Sequence, residues 1–411
     1  MGESASIEPQ RHDDNPLLIN SVPRRSIPTY DTLSYDDYLQ KHLTPNTPFI
    51  LSSQATRDWA SARTFRIPSC STPSLPNLSA LRLYAHHVIP VANTLRQQFS
   101  EFERSEQLLG EVLDLWERDE GKGLYVKDWH LMAEIENEGR NVQEVYQVPD
   151  CLRDDWLNPP FDRRLRPRNG DDPLPNPTST SSSDFRFTYL GPAGTYTPLH
   201  RDVYGSYSWS ANIVGRKIWW LFPPDKLGSV KDKHGELVFD VRELKDEGGG
   251  IKILQEEGEI IFVPSGWHHQ VLNIDFCISI NHNFFASPTL PLIYETLCTS
   301  QLRVEEAISD VKEMIIERVG SEGDLWEKEW VEEVQGLLER DAGWGWKGFW
   351  QTVKNNVQNP PALEILSPST QLRDGRIIDT IKKFKGRRDW LFLEDVGVII
   401  QNIEKSIGPS G

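Results

Sequence analysis

Between Phe185 and Phe285 the chain consists of short β-rich runs that are separated by glycine and proline. The runs read FRFTYLG, SYSWSANIVG, KIWWLFPP, GEIIFVPSG and CISINHNFF. β-Branched and aromatic residues favour strands, and turn residues at such short intervals are typical of an all-β sandwich or barrel. This stretch therefore predicts a β core in the middle of the chain, and the remaining segments must pack around it.

Helix-forming segments lie on both sides of this β region. SYDDYLQKHL, before it, carries apolar residues at helical spacing. After Pro288 helix formers return in two long segments, and in the second Trp326, Trp330 and Val334 share one helical face. The fold class that we predict is mainly β with flanking helices (α+β).

Two segments have compositions that cannot supply a packed core. Residues 1–30 are polar, contain proline and show no periodicity, which predicts a disordered N-terminal segment. Residues 166–184 are rich in Pro, Ser, Thr and Asp, which predicts a flexible surface insertion. We expect a catalytic domain over 31–290, containing this insertion and N-terminal helices, and a C-terminal helical region over 291–411.

Charge and cysteine content narrow the class of partner. With 61 acidic and 44 basic residues the formal net charge is −17, which disfavours nucleic-acid binding and favours a basic protein partner. The four cysteines form no CxxC pair, so we expect reduced thiols rather than a disulfide framework. No apolar run approaches the roughly 18 residues of a membrane span, and no secretory core is visible. We therefore expect no membrane association and a cytosolic or nuclear location.

The segment TPLHRDVYGS contains a histidine and an aspartate separated by one residue. On a strand, His200 and Asp202 would lie on the same face, although such pairs are common on solvated strand edges. Downstream, VPSGWHHQVLN offers His268 and His269, of which only one can face the inside of a barrel. Two histidines and one carboxylate form the arrangement that binds non-haem Fe(II) and leaves positions open for other ligands.

A lysine lies between these two segments, in NIVGRKIWWLFPP. Lysine is almost never buried without an anionic partner, so an inward-facing Lys217 would require a buried carboxylate ligand. A dicarboxylate such as 2-oxoglutarate could chelate iron at its keto-acid end and pair with the lysine at the other.

In this order and spacing, TPLHRD, GRKIWWLFPP, VPSGWHHQVLN and SINHNF resemble the JmjC (jumonji C) domain of Fe(II)- and 2-oxoglutarate-dependent oxygenases. With YVKDWHL, which begins at Tyr125, they are most similar to the jumonji domain-containing protein 4 group. The resemblance implies a cupin-type double-stranded β-helix (jelly roll) core that uses Fe(II), 2-oxoglutarate and O₂. It also implies His200, Asp202 and His269 as the iron ligands, with His268 kept open as the alternative because the two histidines are adjacent.

Six further positions resemble the lining of the cosubstrate pocket: Lys217, Thr197, Tyr125, Asn212, Asn281 and Asn283. In the family the lysine pairs with the distal carboxylate of 2-oxoglutarate. The asparagine that some relatives carry eight positions beyond the aspartate is Ser210 here, so either Asn212 or Asn283 would take over its hydrogen bonds.

Substrate-facing residues are less well defined by the sequence. Tyr204 and Tyr207 follow the ligand pair and are candidates for the mouth of the site. Asp128 is a candidate anchor for a cationic side chain, with local hydrogen bonding as the alternative. The tryptophans of the β region could stack on substrate, but we interpret them as barrel core: Trp209, Trp219, Trp220 and Trp267.

The resemblance implies hydroxylation at C4 of a lysine in the eukaryotic translation termination (release) factor, with succinate and CO₂ as co-products. A JmjC lysine demethylase is the alternative, although the chain carries no cysteine cluster of the kind that often accompanies one. Two other hypotheses stay open: a non-catalytic cupin-like scaffold, and a metal-dependent enzyme acting on a small molecule, which would not need Lys217. The sequence does not predict an oligomeric state.

Overall fold

A computed structural model describes residues 27–67, 73–99, 101–158, 184–360 and 367–408. The predicted insertion at 166–184 lies outside the described residues except for Asp184, as does most of the segment 1–30. Residues 27–30 correct the expectation of disorder. Ile27 is buried, and Thr29–Tyr30 pairs in parallel with Ile50–Leu51, which satisfies backbone groups that a disordered segment would leave to water.

The strands, in chain order, are β1 (Thr29–Tyr30), β2 (Phe49–Leu51), β3 (Arg66–Ile67), β4 (Leu75–Pro76), β5 (Val88–Gln98), β6 (Glu101–Leu108), β7 (Leu124–Trp129), β8 (Arg186–Gly191), β9 (Tyr196–Arg201), β10 (Tyr207–Val214), β11 (Lys217–Phe222), β12 (Ile251–Gln255), β13 (Ile260–Val263), β14 (His268–Asn273) and β15 (Cys277–Phe284). The α-helices are α1 (Tyr35–Tyr38), α2 (Ala60–Thr64), α3 (Leu78–Leu81), α4 (Leu109–Glu117), α5 (Leu131–Asn137), α6 (Leu290–Ala307), α7 (Ser309–Val319), α8 (Leu325–Ala342), α9 (Trp346–Gln358), α10 (Thr370–Lys385) and α11 (Glu394–Ile407).

The strands form two sheets that enclose the site, and a small third one. A nine-stranded sheet has the order β1-β2-β13-β10-β15-β8-β7-β5-β6, and a four-stranded sheet has the order β12-β11-β14-β9. Side chains of the two sheets meet between them, because Lys217 of β11 donates to Ser279 of β15. This is the jelly-roll core that the sequence predicted, flanked by the predicted helices.

The interior of this barrel is polar at its centre. Strands β10 and β15 pair in register, with Ser208 opposite Asn283, Ser210 opposite Asn281, and Asn212 opposite Ser279. Because alternate residues of a strand point to opposite faces, these six side chains share the inner face. The residues between them belong to the apolar core on the outer face, as in YSWSANIV, where Trp and Ile alternate with Ser and Asn.

The outer faces of both sheets are covered by apolar packing. The N-terminal helices cover the large sheet, and residues of the 223–250 connection, Val230 and Val241 among them, cover the small sheet. The C-terminal helices build a separate core around Trp346, Trp350 and Phe384. The four tryptophans of the β region are buried, as predicted.

Two further sequence expectations concern thiols and membranes. Cys151, Cys277 and Cys298, the cysteines among the described residues, are free thiols. Within the described part of the chain, no helix combines the length and the apolar character that a membrane span requires.

The outer core behind β10 gives a stability prediction. Trp209 is fully buried and its ring stacks on His282 at 4.2 Å between centroids. We expect Trp209→Ala to lower the free energy of unfolding by about 3–5 kcal/mol, since truncation of a buried aromatic residue leaves a cavity. Denaturant unfolding measures the change.

The matched control is Leu391→Ala, because Leu391 is 71% exposed. Its effect should stay within about 0.5 kcal/mol, as for an ordinary surface substitution. Equal effects of the two substitutions would contradict the assignment of Trp209 to the core.

Candidate functional site

Two histidines and one aspartate converge at one end of the small sheet. His200 of β9 pairs directly with His269 of β14, and their ring centroids are 4.2 Å apart. Asp202 follows β9 by one residue. The possible ligand atoms of His200, Asp202 and His269 all lie within 4.8 Å of one another. The structure thus brings together the three residues that the sequence pattern selected.

A bulge in β9 brings the metal ligands and the cosubstrate residues to one face. His200 pairs with His269 and Thr197 pairs with Val271, so β9 contains one more residue than β14 between these two pairs. Residues three apart on a regular strand face opposite ways, but the extra residue lets Thr197 and His200 both face inward. Leu199, between them, packs into the outer apolar cluster.

Hydrogen bonds on the far side of each ring leave the other nitrogen free for a cation. His200 Nδ1 lies 2.8 Å from the carbonyl of Pro198, and His269 Nδ1 lies 3.5 Å from that of Trp267. Metal-binding histidines are oriented by such contacts, which place the proton on Nδ1 and the lone pair on Nε2. Burial lowers the pKa of both rings, and for His200 the nearby His269 lowers the pKa further. Both imidazoles are therefore neutral donors.

The carboxylate of Asp202 is held from both sides. Ser208 donates to Oδ2 at 2.7 Å, and Asn283 donates to Oδ1 at 3.2 Å. Each oxygen keeps a lone pair, so the hydrogen bonds orient the group without occupying it. A divalent cation fits this set of two nitrogens and one oxygen, which leaves other coordination positions open.

His268 lies on the other face of β14. It pairs with Phe222 of β11 and Arg201 of β9, both of which are directed away from the triad. Burial and the nearby Arg201 lower the pKa of His268 to about 4. Strand alternation therefore directs His269, and not His268, toward Asp202.

A second group of histidines and a carboxylate lies among the described residues, at His86, His87 and Glu138. Both imidazoles share one oxygen of Glu138, at 2.9 and 2.7 Å, and Arg140 binds the other oxygen at 3.2 Å. Glu138 already accepts from both imidazoles and from Arg140, so we interpret the group as a hydrogen-bonded cluster. In the His200 triad no hydrogen bond joins the three ligands.

Lys217 is buried at the far end of the barrel interior. Its Nζ donates to Ser279 at 2.7 Å, and among the described residues no carboxylate forms an ion pair with it. Burial lowers its pKa to about 8. A buried ammonium without an anion is costly, so the site is suited to an anionic ligand that enters the barrel.

Polar groups without complete partners surround this ammonium. Oδ1 of Asn212 and Oδ1 of Asn273 are buried without a hydrogen bond from any described residue. Tyr125 is buried, and hydrogen bonds with Thr197 and Asn273 oppose the rise in its pKa that burial causes. A ligand with a distal carboxylate would meet hydroxyl, amide and ammonium groups here, which fits the dicarboxylate expected from the sequence.

The asparagines divide between two tasks. Asn283 holds the metal ligand Asp202, and Asn281 accepts from Ser210 at 2.8 Å. Asn212 lies opposite Ser279, which accepts from Lys217, so of the two candidate asparagines it is the one near the ammonium group.

The structure turns Tyr207 away from the site and gives Asp128 local partners. Tyr207 faces the outer core, where it is buried and stacks on Phe262 at 5.7 Å, because β10 starts at this residue with its odd-numbered positions outward. Asp128 is already paired, since it accepts from Tyr189 at 2.7 Å and from Arg104 at 3.2 Å. Its local hydrogen bonding, the alternative reading, is what the structure shows.

Tyr204 is half-buried, and its ring packs against Trp344 of the C-terminal region at 4.6 Å. It also adopts a left-handed backbone conformation, with φ 59° and ψ 7°, which costs a non-glycine residue about 1–3 kcal/mol. Its contacts are with the C-terminal helices. This packing does not favour the predicted role of Tyr204 as a substrate-facing residue.

Lys127 and Asn273 are site residues that the sequence reasoning missed. Lys127 shares the inner face of β7 with Tyr125, two residues earlier, and it contributes to lowering the pKa values of His200 and His269. Asn273 shares the inner face of β14 with His269, four residues earlier. Because every second residue of a strand lies on the same face, the strand pattern around Tyr125 and His269 could have predicted both positions.

Comparisons with known proteins agree with this geometry. A family model described as "JmjC domain, hydroxylase" matches residues 187–284. The human protein named "2-oxoglutarate and iron-dependent oxygenase JMJD4" is 32% identical over 339 residues, which cover 78% of this chain and 73% of that protein. Its chicken (Gallus gallus) counterpart is 31% identical over 347 residues, covering 80% and 73%. The Arabidopsis thaliana protein named "Arginine-specific demethylase JMJ20" is 35% identical over 298 residues, covering 69% and 62%.

The two adjacent histidines allow a direct test of the metal ligands. We expect His269→Ala to abolish tight binding of Mn(II), a redox-stable probe for an Fe(II) site, because it removes one of three ligands. His268→Ala should keep wild-type affinity, since its ring lies on the other face. Titration of the metal-free protein followed by electron paramagnetic resonance measures both. The reverse result would assign the ligand to His268.

The lowered pKa of Lys217 predicts how dicarboxylate binding depends on pH. In the free protein the pKa of Lys217 is about 8, so its side chain is mostly charged only when the pH is below that value. With Mn(II) present, the affinity for 2-oxoglutarate should be constant below that pH and fall by up to about tenfold per unit above it.

Matched variants separate Lys217 from other groups that titrate. Lys217→Arg should remove the pH dependence, because arginine stays charged up to a pH of about 12. Lys217→Met should weaken binding on the order of 100-fold, the cost of deleting one partner of a buried charge pair. Lys347→Met, on an exposed lysine, should change neither property. Calorimetry measures the affinities, and a Lys217→Met variant with wild-type affinity would remove Lys217 from the pocket.

Proposed function

The chain belongs to the JmjC-domain family of 2-oxoglutarate- and iron-dependent oxygenases, and we propose that within this family it hydroxylates C4 of a lysine in the eukaryotic translation termination factor. The residues that would hold iron are His200, Asp202 and His269, and the residue that would hold the distal carboxylate of 2-oxoglutarate is Lys217. Because translation termination takes place in the cytoplasm, the proposed substrate implies that the enzyme acts there.

The overall reaction balances with one molecule of O₂. Bound iron and 2-oxoglutarate supply the oxidising power: one oxygen atom enters a C–H bond of the target, and the other enters succinate as CO₂ leaves. The protein's own residues bind, orient and shield. Lys217 and its hydroxyl and amide neighbours fix one end of the cosubstrate, Asp202 is oriented by Ser208 and Asn283, and no side chain has to act as nucleophile or base.

Lys127 is the observation that favours hydroxylation over demethylation. Its inward-facing ammonium acts electrostatically on His200 and His269, and no carboxylate in the described part of the chain forms an ion pair with it. A demethylase oxidises a methyl group bonded directly to a cationic nitrogen, so it must bring positive charge to the metal. The charge of Lys127, which acts on two of the metal ligands, opposes this, although burial lowers the pKa of Lys127 itself.

Hydroxylation at C4 of lysine keeps the positive charge farther away. Two further carbon atoms separate C4 from the ammonium group, so the reacting carbon can approach the metal while the charge stays outside. Asp128, the carboxylate nearest in sequence, is engaged by Arg104 and Tyr189 and so does not offer an unpaired charge to a methylated guanidinium.

The identity of the substrate is supported by resemblance and charge. The chain matches proteins named JMJD4 over most of its length, and the jumonji domain-containing protein 4 group is the one whose motifs it resembles. Its net charge of −17 suits a basic, lysine-bearing surface on a protein partner. The second candidate is arginine demethylation, which the 35% identity to the Arabidopsis demethylase favours.

Mass spectrometry distinguishes the two candidates. We expect the protein, supplied with Fe(II), 2-oxoglutarate and O₂, to add one oxygen atom to a single lysine of recombinant termination factor, with one succinate formed per event. Under ¹⁸O₂ the added atom should carry the heavy isotope. Asp202→Ala should abolish both products, because it removes a ligand from the metal site.

Peptides with methylated arginine or lysine serve as the parallel substrates. Loss of methyl groups with release of formaldehyde, together with an unmodified termination factor, would replace hydroxylase by demethylase. Lys127→Met should raise the turnover of methylated peptides relative to that of the termination factor, because it removes the charge that repels them.

A further inference from the structure

The turn that follows the metal ligand Asp202 has an unusual backbone. Val203–Gly205 form a single turn of 3₁₀ helix in which Tyr204 and Gly205 both have positive φ, 59° and 60°. A bulky residue adopts this conformation only when its surroundings impose it. Contacts with neighbouring elements must therefore hold Tyr204 in this conformation.

The C-terminal helical region supplies these contacts. The Tyr204 ring meets Trp344 edge-on at 4.6 Å, and its hydroxyl lies 3.3 Å from the carbonyl of Gly343. Gly343 and Trp344 form the corner between α8 and α9. Gly343 has φ 78°, and a Cβ there would lie 2.7 Å from the tyrosine oxygen, so the corner leaves no space between the two.

Trp344 is itself anchored in the C-terminal core. Its ring lies 5.6 Å from Phe349 and 6.1 Å from Phe285, and only 9% of its surface is exposed. Helix α6 adds a second contact to the same turn, since a Cβ at Gly205 would lie 2.7 Å from Thr296. The C-terminal helices therefore hold the turn at both of its left-handed residues.

The turn also determines where Asp202 can point. It lies between Asp202 and Ser208, and Ser208 donates to the Asp202 carboxylate. Asn283 bridges the same parts of the chain, because it donates to Asp202 at 3.2 Å and to Ser206 at 3.3 Å. A change in the path of residues 203–205 would move Asp202 relative to both donors, and so relative to His200 and His269.

We propose that Tyr204 is a positioning residue, through which the Gly343–Trp344 corner of the C-terminal helical region holds Asp202 in the geometry that binds the metal. The proposal rests on the iron site of the family and not on the identity of the protein substrate. The C-terminal region, for which the sequence indicated no role, thereby becomes part of the metal site.

Metal affinity measures this role without any protein substrate. We expect Tyr204→Gly, which keeps the left-handed backbone accessible and deletes the ring, to weaken Mn(II) binding by about 10–100-fold. Trp344→Ala should give a similar loss, and Trp344→Phe should restore most of the affinity. Trp390→Ala is the matched control, because Trp390 packs against the same C-terminal core without touching the turn, and it should leave the affinity within about twofold of wild type.

The double variant separates positioning from general destabilisation. If both residues act through one contact, Tyr204→Gly combined with Trp344→Ala should bind Mn(II) no more weakly than the worse single variant. Additive losses, or wild-type affinity in folded Tyr204→Gly protein, would overturn the proposal. Should Trp344→Ala fail to fold, Tyr204→Gly decides the matter, since Tyr204 is only half-buried. If the protein does not hydroxylate the termination factor, the Mn(II) affinities of these variants still test the role of Tyr204.

Discussion

The polar interior of the barrel is the constraint on which the rest of the structure depends. Strands β10 and β15 direct serine and asparagine inward along the segment that leads to the metal ligands, so these two strands contribute little apolar burial on their inner faces. The apolar residues between the sheets form a separate cluster that includes Trp219, Ile261 and Val263. Three further apolar clusters lie outside the barrel, with the N-terminal helices, the 223–250 connection and the C-terminal helices. This distribution explains why a catalytic jelly roll uses so much additional chain: the flanking elements stabilise a barrel that keeps part of its interior polar for ligands.

Electrostatics inside the barrel run opposite to those of the whole molecule. The chain has a net charge of −17, yet in the described part of the site two inward-facing ammonium groups, Lys217 and Lys127, accompany the carboxylate of Asp202. The protein thus combines a negative overall charge, which would attract the basic partner that we propose, with a positive interior that suits an anionic cosubstrate. Because interactions between surface charges are screened by salt and those between buried charges are screened far less, the two tasks need not interfere.

Much of the fold and of the site could be predicted from strand periodicity and a few motifs. The alternation of YSWSANIV predicted a strand, which is present as β10. The spacing of His200 and Asp202 predicted that they converge, and they do, although Asp202 lies just beyond the end of β9. Tyr207 could not be placed in this way, because the left-handed turn at Tyr204 interrupts the period-two pattern between β9 and β10. The choice between His268 and His269 needed the register of β14 against β9, and register is a long-range property.

The bulge in β9 gives different parts of this chain different tolerances to changes in length. One surplus residue between Thr197 and His200 is what aligns the cosubstrate pocket with the metal ligands on a single inner face. Deleting the surplus residue would leave β9 and β14 with equal spacing between the pairs that Thr197 and His200 form, so both side chains could still face inward on a regular strand. A deletion in the regular part of β9 is different, because it would reverse the facing of every residue beyond it. The bulge is therefore the one point described on this strand where the chain can lose a residue without exchanging its inner and outer faces.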